Sequence, residues 1–249
     1  MDDRVPTGIN GLDELLDGGF PRGRTILLSG TCGTGKTTLA IQYLANGIEK
    51  YNEPGILITL EQNREEIAKD MLNIGIDLKK LEQQGKLIII DTSLSRIGVR
   101  DYMTTLPTPN QGSISLKPGE FNIDNIIALA VNNAQKIGAK RMIIDSLPAL
   151  DYLIAELKDI RRALITMTYE LKSKGLTTLI ITEGEDDNTI SKHGVEEYIT
   201  DGVLVLKVNE TLDTRTIKIR KMRTTKHTLK PQTFELTSEG VKVKPSKTI

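Results

Sequence analysis

From Gly30 to Thr38 the chain reads GTCGTGKTT, and Gly30–Thr37 satisfies G-x-x-x-x-G-K-[ST] at every fixed position. A loop of this kind does its chemistry largely with its backbone. Its glycines let successive N–H groups, from Gly30 through Thr31, Cys32, Gly33, Thr34 and Gly35, turn inward on a row of phosphates, and the start of the following helix adds a favourable dipole. Lys36 is placed to reach the β- and γ-phosphates, the hydroxyl of Thr37 to ligate Mg²⁺, and Thr38 to complete the phosphate-facing set. The chemistry expected is that of a nucleoside triphosphate with its magnesium ion. Cys32 is read as a small residue that fits the loop; its oxidation would block the site.

A triphosphate-bound metal calls for a carboxylate at a sheet edge, and two aspartates offer one. Asp145 closes the apolar run RMIID and Asp91 closes KLIIID, both at the strand end where ligands of such folds bind. Hydrolysis further needs a group that orients or deprotonates water. Glu61, directly behind GILITL, is the carboxylate placed for it. The competing reading is a solvated glutamate at a helix start, because EQNREE is rich in charge.

The elements that must carry these residues alternate. The apolar run TILLS, 25–29, reads as a buried strand leading into the glycine loop, and TTLAIQYLANGIEK as the helix behind it. GILITL, 55–60, and KLIIID, 86–91, are further strands, with the charged helix REEIAKDMLNIG between them. A helix, NIDNIIALAVNNAQKIG, then leads to KRMIID, 140–145, and AELKDIRRALITMTYELKSKG to TTLIIT. Strand–helix alternation of this kind predicts an α/β fold with a mostly parallel sheet and helices on both faces. Upstream of the loop, Leu12, Leu15 and Leu16 mark a short helix that Gly18-Gly19 ends before Pro21. The tail changes character: DGVLVLKVN, TRTIKIRKMR and QTFELTSEGVKVK have no helix between them and predict hairpins that extend the sheet antiparallel. Residues 92–122, rich in Thr, Ser, Pro and Gly, break the pattern and are expected to be a flexible insertion, either functional or simply tolerated. No linker divides the rest, so 1–249 is expected to be one domain.

Composition narrows the partners. Lys plus Arg number 33, as do Asp plus Glu, so no net field draws the chain to nucleic acid or an anionic membrane. No apolar run approaches the roughly 20 residues of a membrane helix. The acidic, polar start MDDRVPTG argues against a secretory signal. One cysteine allows no internal disulfide and suits a reducing compartment, and the cytoplasm is the expected location.

The quoted motifs, in order, resemble a known family. TGINGLDELLDGGFPRG leading to GTCGTGKTT, then TLEQ, RMIIDS, KHGVEEYITDGVLVL and KMRTTKH, are similar to the KaiC-like ATPases of the RecA superfamily, from about residue 4 to residue 244. A single phosphate loop resembles a single-domain member. The resemblance implies a RecA-like P-loop NTPase fold, ATP rather than GTP as the nucleotide, and a ring, usually a hexamer, with ATP held at subunit interfaces. It selects Asp145 over Asp91 as the metal's carboxylate and maps the catalytic glutamate onto Glu61. Many relatives carry a second glutamate next to it; here that position is Gln62. KMRTTKH resembles K-x-R-G-[TS]-x-H, whose basic residues reach a neighbouring subunit's nucleotide, which implies that role for Lys221, Arg223 and His227, with Thr224 in the usual place of glycine. As a finger supplied in trans, such cations would stabilise charge on the transferring phosphoryl group. The bland reading of the segment is a strand kept soluble by its charges.

In the phosphorylating half of duplicated family members, adjacent Ser and Thr precede a segment like ITDGVLVL; here those positions are Glu197 and Tyr198. Hydrolysis, with water as the acceptor, is therefore expected rather than autophosphorylation, with Ser146, Thr189 and Ser191 left as conceivable acceptors. The leading expectation is a regulatory ATPase signalling to a protein partner. Two other classes stay open: a RecA-like DNA-binding repair or recombination ATPase, and a nucleotide-gated switch that hardly hydrolyses. Few aromatics and no added DNA-binding domain weigh against the first. Gln62 and Thr224 keep the second open.

Overall fold

A computed structural model describes residues 3–92, 114–115, 122–152, 154, 156–184 and 189–245. Its centre is a ten-stranded sheet. Chain order begins with the ribbon strands β1 (Arg4–Val5) and β2 (Phe20–Pro21), which pair antiparallel around the one-turn helix α1 (Leu12–Leu15). The sheet proper starts at β3 (Thr25–Gly30), followed by α2 (Lys36–Tyr51), β4 (Gly55–Thr59), α3 (Arg64–Leu72), α4 (Leu78–Gln83) and β5 (Leu87–Asp91). After β6 (Ile114–Ser115) come α5 (Ile123–Ile137), β7 (Arg141–Asp145), a 3₁₀ turn (Leu147–Tyr152), α6 (Leu157–Ser173) and β8 (Thr177–Ile181). The chain ends with the short helix α7 (Glu196–Ile199) and the strands β9 (Gly202–Asn209), β10 (Thr214–Met222), β11 (Gln232–Thr237) and β12 (Gly240–Lys244).

Across the sheet the order is β12-β11-β10-β9-β3-β8-β7-β4-β5-β6. The strands from β9 to β6 run parallel, and β10, β11 and β12 add to β9 as antiparallel hairpins. The parallel core and the antiparallel tail thus match the alternation and the terminal strand runs. Of the 92–122 segment, Ile114–Ser115 pairs in parallel with Ile90–Asp91 as the sheet's outermost strand. Apart from those two, Thr92 and Asn122, the expected insertion lies outside the described residues.

The strand runs are apolar throughout because both faces of a parallel sheet are covered. Side chains alternate between two cores: Ile26, Leu28, Leu57 and Ile143 face α2, α3 and α4, while Leu27, Ile56, Ile58 and Ile144 face α5 and α6. The tail strands send Ile217, Ile219, Phe234, Val241 and Val243 into the first core only, which is why they alternate with Lys and Arg.

One charge lies inside this packing. Arg141 opens β7 with no exposed surface; its Nε donates to Glu53 at 2.8 Å and its Nη1 to the Tyr43 carbonyl at 3.0 Å, with the guanidinium 4.6 Å from the Tyr43 ring centroid. A buried cation is tolerable only when paired and hydrogen-bonded. Room for it comes from Gly47 on α2, where an added Cβ would lie 2.2 Å from Arg141 Nε. Gly47→Ala is therefore expected to destabilise the fold by about 2–4 kcal/mol through displaced Arg141 contacts, although alanine is the better helix former by about 1 kcal/mol. The check is urea unfolding: the midpoint should fall with its slope unchanged.

Candidate nucleotide-binding site

The parallel strands all point their C-terminal ends at one edge of the sheet, the edge where α/β folds place their ligands. There β3 turns into the glycine loop, β7 ends at Asp145, β4 gives way to Glu61 and β8 to Glu183. Glu61, Lys36, Thr37, Asp145, Ser146 and Glu183 line one cavity of about 550 Å³. Strand order brings them together: β8 lies directly beside β3, and β7 and then β4 follow.

The loop has the shape its spacing predicts. Gly33 and Gly35 take left-handed φ angles of 75° and 93°, conformations that favour glycine. Helix α2 begins at Lys36 behind Gly35, with no side chain capping its first turn, so its leading N–H groups face the loop. The Lys36 ammonium is buried and donates to the carbonyls of Gly30 and Thr31, both at 2.8 Å. Glu183 Oε1 stands 3.7 Å from it. The Thr37 hydroxyl donates to Asp145 Oδ2 at 2.8 Å. Beside them the buried Ser146 hydroxyl has no hydrogen-bond partner. A cationic ammonium, an uncapped helix start, an orphaned hydroxyl and a hydroxyl–carboxylate pair suit a polyphosphate with a hard divalent cation.

Asp145 pays electrostatically for this place. Burial pushes its carboxyl up to about 6, and the charges of Glu61 and Glu183 act in the same direction against the Thr37 hydrogen bond and Lys36. Asp91 is differently employed: it accepts from the Arg64 N–H at 2.9 Å at the start of α3, and β5 lies two strands beyond β7. Glu183 and Asp70, on α3, are the cavity carboxylates that sequence reasoning missed. A single glutamate behind TTLIIT carries no distinguishing pattern, and only the β3–β8 pairing places it beside Lys36.

Lys221, Arg223 and His227 are not brought to this cavity. Gly30 pairs with Leu206 and Ile26 with Gly202, while Met222 pairs with Gly202 from the other side. Lys221 and Arg223 thus stand level with the start of β3, about 13 Å along the sheet from Gly30 at ~3.3 Å per residue. The Lys221 ammonium donates to the carbonyls of Thr200 at 2.6 Å and Glu197 at 3.1 Å. Burial, then the neighbouring Arg223, lowers its pKa. Arg223 is more than half exposed, with Nε 3.7 Å from Asp201. Thr224 adopts φ 58°, the left-handed conformation that glycine would take most readily. His227 Nδ1 lies 3.0 Å from the Thr225 carbonyl, beyond the same turn.

The two edges differ in charge. Glu61, Asp70, Asp145 and Glu183 line the cavity with Lys36 at the loop edge. At the opposite edge Arg24, Lys172 and Arg223 gather around the buried Asp201, with Lys221 close by. Among the other candidate hydroxyls, Ser191 is buried and donates to Glu197. Tyr198 is 69% exposed.

A parallel sheet with a glycine loop between its central strand and first covering helix, and antiparallel strands appended at one side, is the RecA-like P-loop fold. The comparisons with known proteins agree. The model of the KaiC ATPase family matches residues 5–248. The circadian clock oscillator protein KaiC of Thermostichus vulcanus is 35% identical over 245 residues, 97% of this chain and 44% of that protein. KaiC of Synechococcus elongatus is 34% identical over 245 residues, with the same coverage. A solved KaiC-like protein of Pyrococcus horikoshii superposes with a TM-score of 0.82 at 36% identity, covering 98% of this chain and all of that one. The chain belongs to the KaiC ATPase family, and it spans less than half the length of the clock proteins it matches.

A carboxyl with a raised pKa binds its proton more tightly folded than unfolded, so Asp145 removes stability as pH rises from the ordinary carboxylate range through about 6. In EDTA and without nucleotide, Asp145→Asn is expected to melt above the wild type near about pH 7.5, the gap closing below about pH 4. Thermal unfolding across that range checks it, and equal melting temperatures throughout would contradict the placement.

Proposed function

We propose that this chain is a Mg²⁺-dependent ATPase whose catalytic site is completed between copies of itself. The observation that carries the reading is the division of the expected residues between two edges of one sheet. Cys32, Gly33, Gly35–Thr38, Glu61 and Asp145 share a cavity, whereas Lys221 and Arg223 stand at the opposite edge and cannot fold back onto their own loop. The acidic loop edge and the basic far edge complement each other head to tail, and a heterologous contact of that kind closes into a ring. Six members follow from the family resemblance.

In this reading the loop N–H groups and Lys36 bind the β- and γ-phosphates, with Thr38 at the helix start beside them. Thr37 and Asp145 hold Mg²⁺, which keeps its other positions for phosphate and water and neutralises developing charge. Glu61 orients or deprotonates the attacking water. Arg223 of one copy, with Lys221 and His227 behind it, faces the phosphates bound by the next. The nucleoside end fits the cavity of about 1030 Å³ on the loop's other flank, lined by Cys32, Asn209, Arg215 and Thr233 among others. Cycling would change subunit contacts and so signal to a protein partner in the cytoplasm. No helix of the described residues is long and apolar enough to cross a membrane, and zero net charge does not favour nucleic acid as the partner.

The test is ATP hydrolysis per subunit across a wide range of protein concentration, with Lys36→Ala as the blank. The specific rate is expected to climb and saturate, and Arg223→Ala and Glu61→Gln each to lower it by about 10²-fold or more. A rate flat with dilution and indifferent to Arg223→Ala would show a self-sufficient site. No rate above the blank would favour the nucleotide-gated switch.

A further inference from the structure

The chain between β8 and β9 crosses from the loop edge of the sheet to the far edge. Near its start Ser29 donates to the Ile190 carbonyl, at the nucleotide side. Near its end the Asp201 N–H donates to the Thr25 carbonyl at 2.8 Å, and the carbonyls of Glu197 and Thr200 hold the Lys221 ammonium. Midway stands His193, whose side chain is only 8% exposed.

His193 is held at both ring nitrogens. Nδ1 lies 2.8 Å from Glu196 Oε1, and Nε2 lies 2.6 Å from Asp151 Oδ1. Ionised carboxylates only accept, so both nitrogens carry protons and the ring is an imidazolium between two anions. Its pKa is accordingly raised, first by the Glu196 hydrogen bond, then, against the cost of burial, by Asp151. Glu196 is fully buried and also accepts from the N–H groups of Val195 and His193 and from Thr182; these contacts outweigh its burial and draw its pKa down to about 2. Asp151 belongs to the 3₁₀ turn behind Asp145–Ser146 and is also paired with Lys192 at 2.6 Å. One side chain therefore ties the connector and α7 to the segment that leaves the metal carboxylate.

We propose that His193 is a positioning residue for the trans cations: by clamping Glu196 to Asp151 it fixes α7, whose Glu197 carbonyl, with that of Thr200, fixes Lys221 and the Arg223 turn toward the neighbouring copy. Neither His193 nor the two carboxylates it bridges lines the phosphate cavity of its own chain, although Lys192, which shares Asp151, feels the charges of Glu61 and Glu183 there. This inference rests on the trans reading above. It further requires that loss of His193 leave the chain's own nucleotide site intact.

The requirement gives a complementation test in assembled protein. His193→Gln cannot bridge two carboxylates, and alone it is expected to lower ATP hydrolysis by about tenfold or more. Glu61→Gln is inactive at its own site but offers intact cations. Co-expressed one to one with different tags and purified through both, they should recover roughly a quarter of the wild-type rate, because half the sites and half the donors are intact. Arg223→Ala with Glu61→Gln is the control. Recovery in both mixtures supports the clamp; recovery in the control alone overturns it while the trans reading stands. Failure of both, in co-purified assemblies, overturns the trans reading itself. A second readout needs no nucleotide: amide exchange in 196–201 should rise about tenfold in His193→Gln while that of β8 stays unchanged, and an unchanged 196–201 overturns the proposal. Should His193→Gln fail to fold, Asp151→Asn, which cuts the clamp from its exposed end, replaces it in both experiments with the same expected outcomes.

Discussion

Parallel strand direction is the constraint on which the rest of this molecule depends. With β9, β3, β8, β7, β4, β5 and β6 all running one way, every strand delivers its next residue to the same edge. Residues as distant in sequence as Thr37 and Asp145 then meet at hydrogen-bond distance. The antiparallel tail reverses that delivery. Because β10 runs back along β9, its end at Lys221–Met222 arrives at the start of β3 rather than beside the loop. One sheet thus presents two edges of opposite chemistry.

Carboxylates crowd the loop edge at a cost that a free-standing domain does not need to bear. Glu61, Asp145 and Glu183 stand around one ammonium, and Lys36 itself leans on two backbone carbonyls. Such an arrangement is poorly balanced by itself and better balanced by a divalent cation and phosphates, which satisfy the carboxylate and the ammonium together. At the far edge Thr224 holds a positive φ without glycine.

Much of this was legible in the sequence, for physical reasons. Strands covered on both faces read as unbroken apolar runs, so TILLS, GILITL, KLIIID, KRMIID and TTLIIT stand out, and the glycine loop has a pattern no ordinary turn needs. What could not be read was whatever depends on strand order or falls below one helical period. RMIID and KLIIID carry the same signature, and only the family resemblance preferred Asp145; β7 stands two strands from β3 and β5 four, and it is Asp145 that meets Thr37. Glu183 has no signature at all. Helices α4 and α7, of six and four residues, and the 3₁₀ turn at Leu147–Tyr152 are too short to show a period, so the charged stretch after α3 and the connector before β9 read as featureless.

That connector shows why the shortest elements matter most here. The sheet is rigid enough to hold its two edges at a fixed separation, but it cannot by itself orient an exposed arginine at the end of a hairpin. Among the described residues the Arg223 side chain is paired with Asp201 at 3.7 Å, and the Lys221 ammonium is held by carbonyls of the connector. Those carbonyls are in turn held by a four-residue helix that could not persist alone. Its stability must come from side chains, and among the described residues the densest set is the imidazolium between Asp151 and Glu196, with Ser191 on Glu197 beside it. Through it the connector whose carbonyls hold Lys221 is tied to a charge cluster that begins six residues after Asp145.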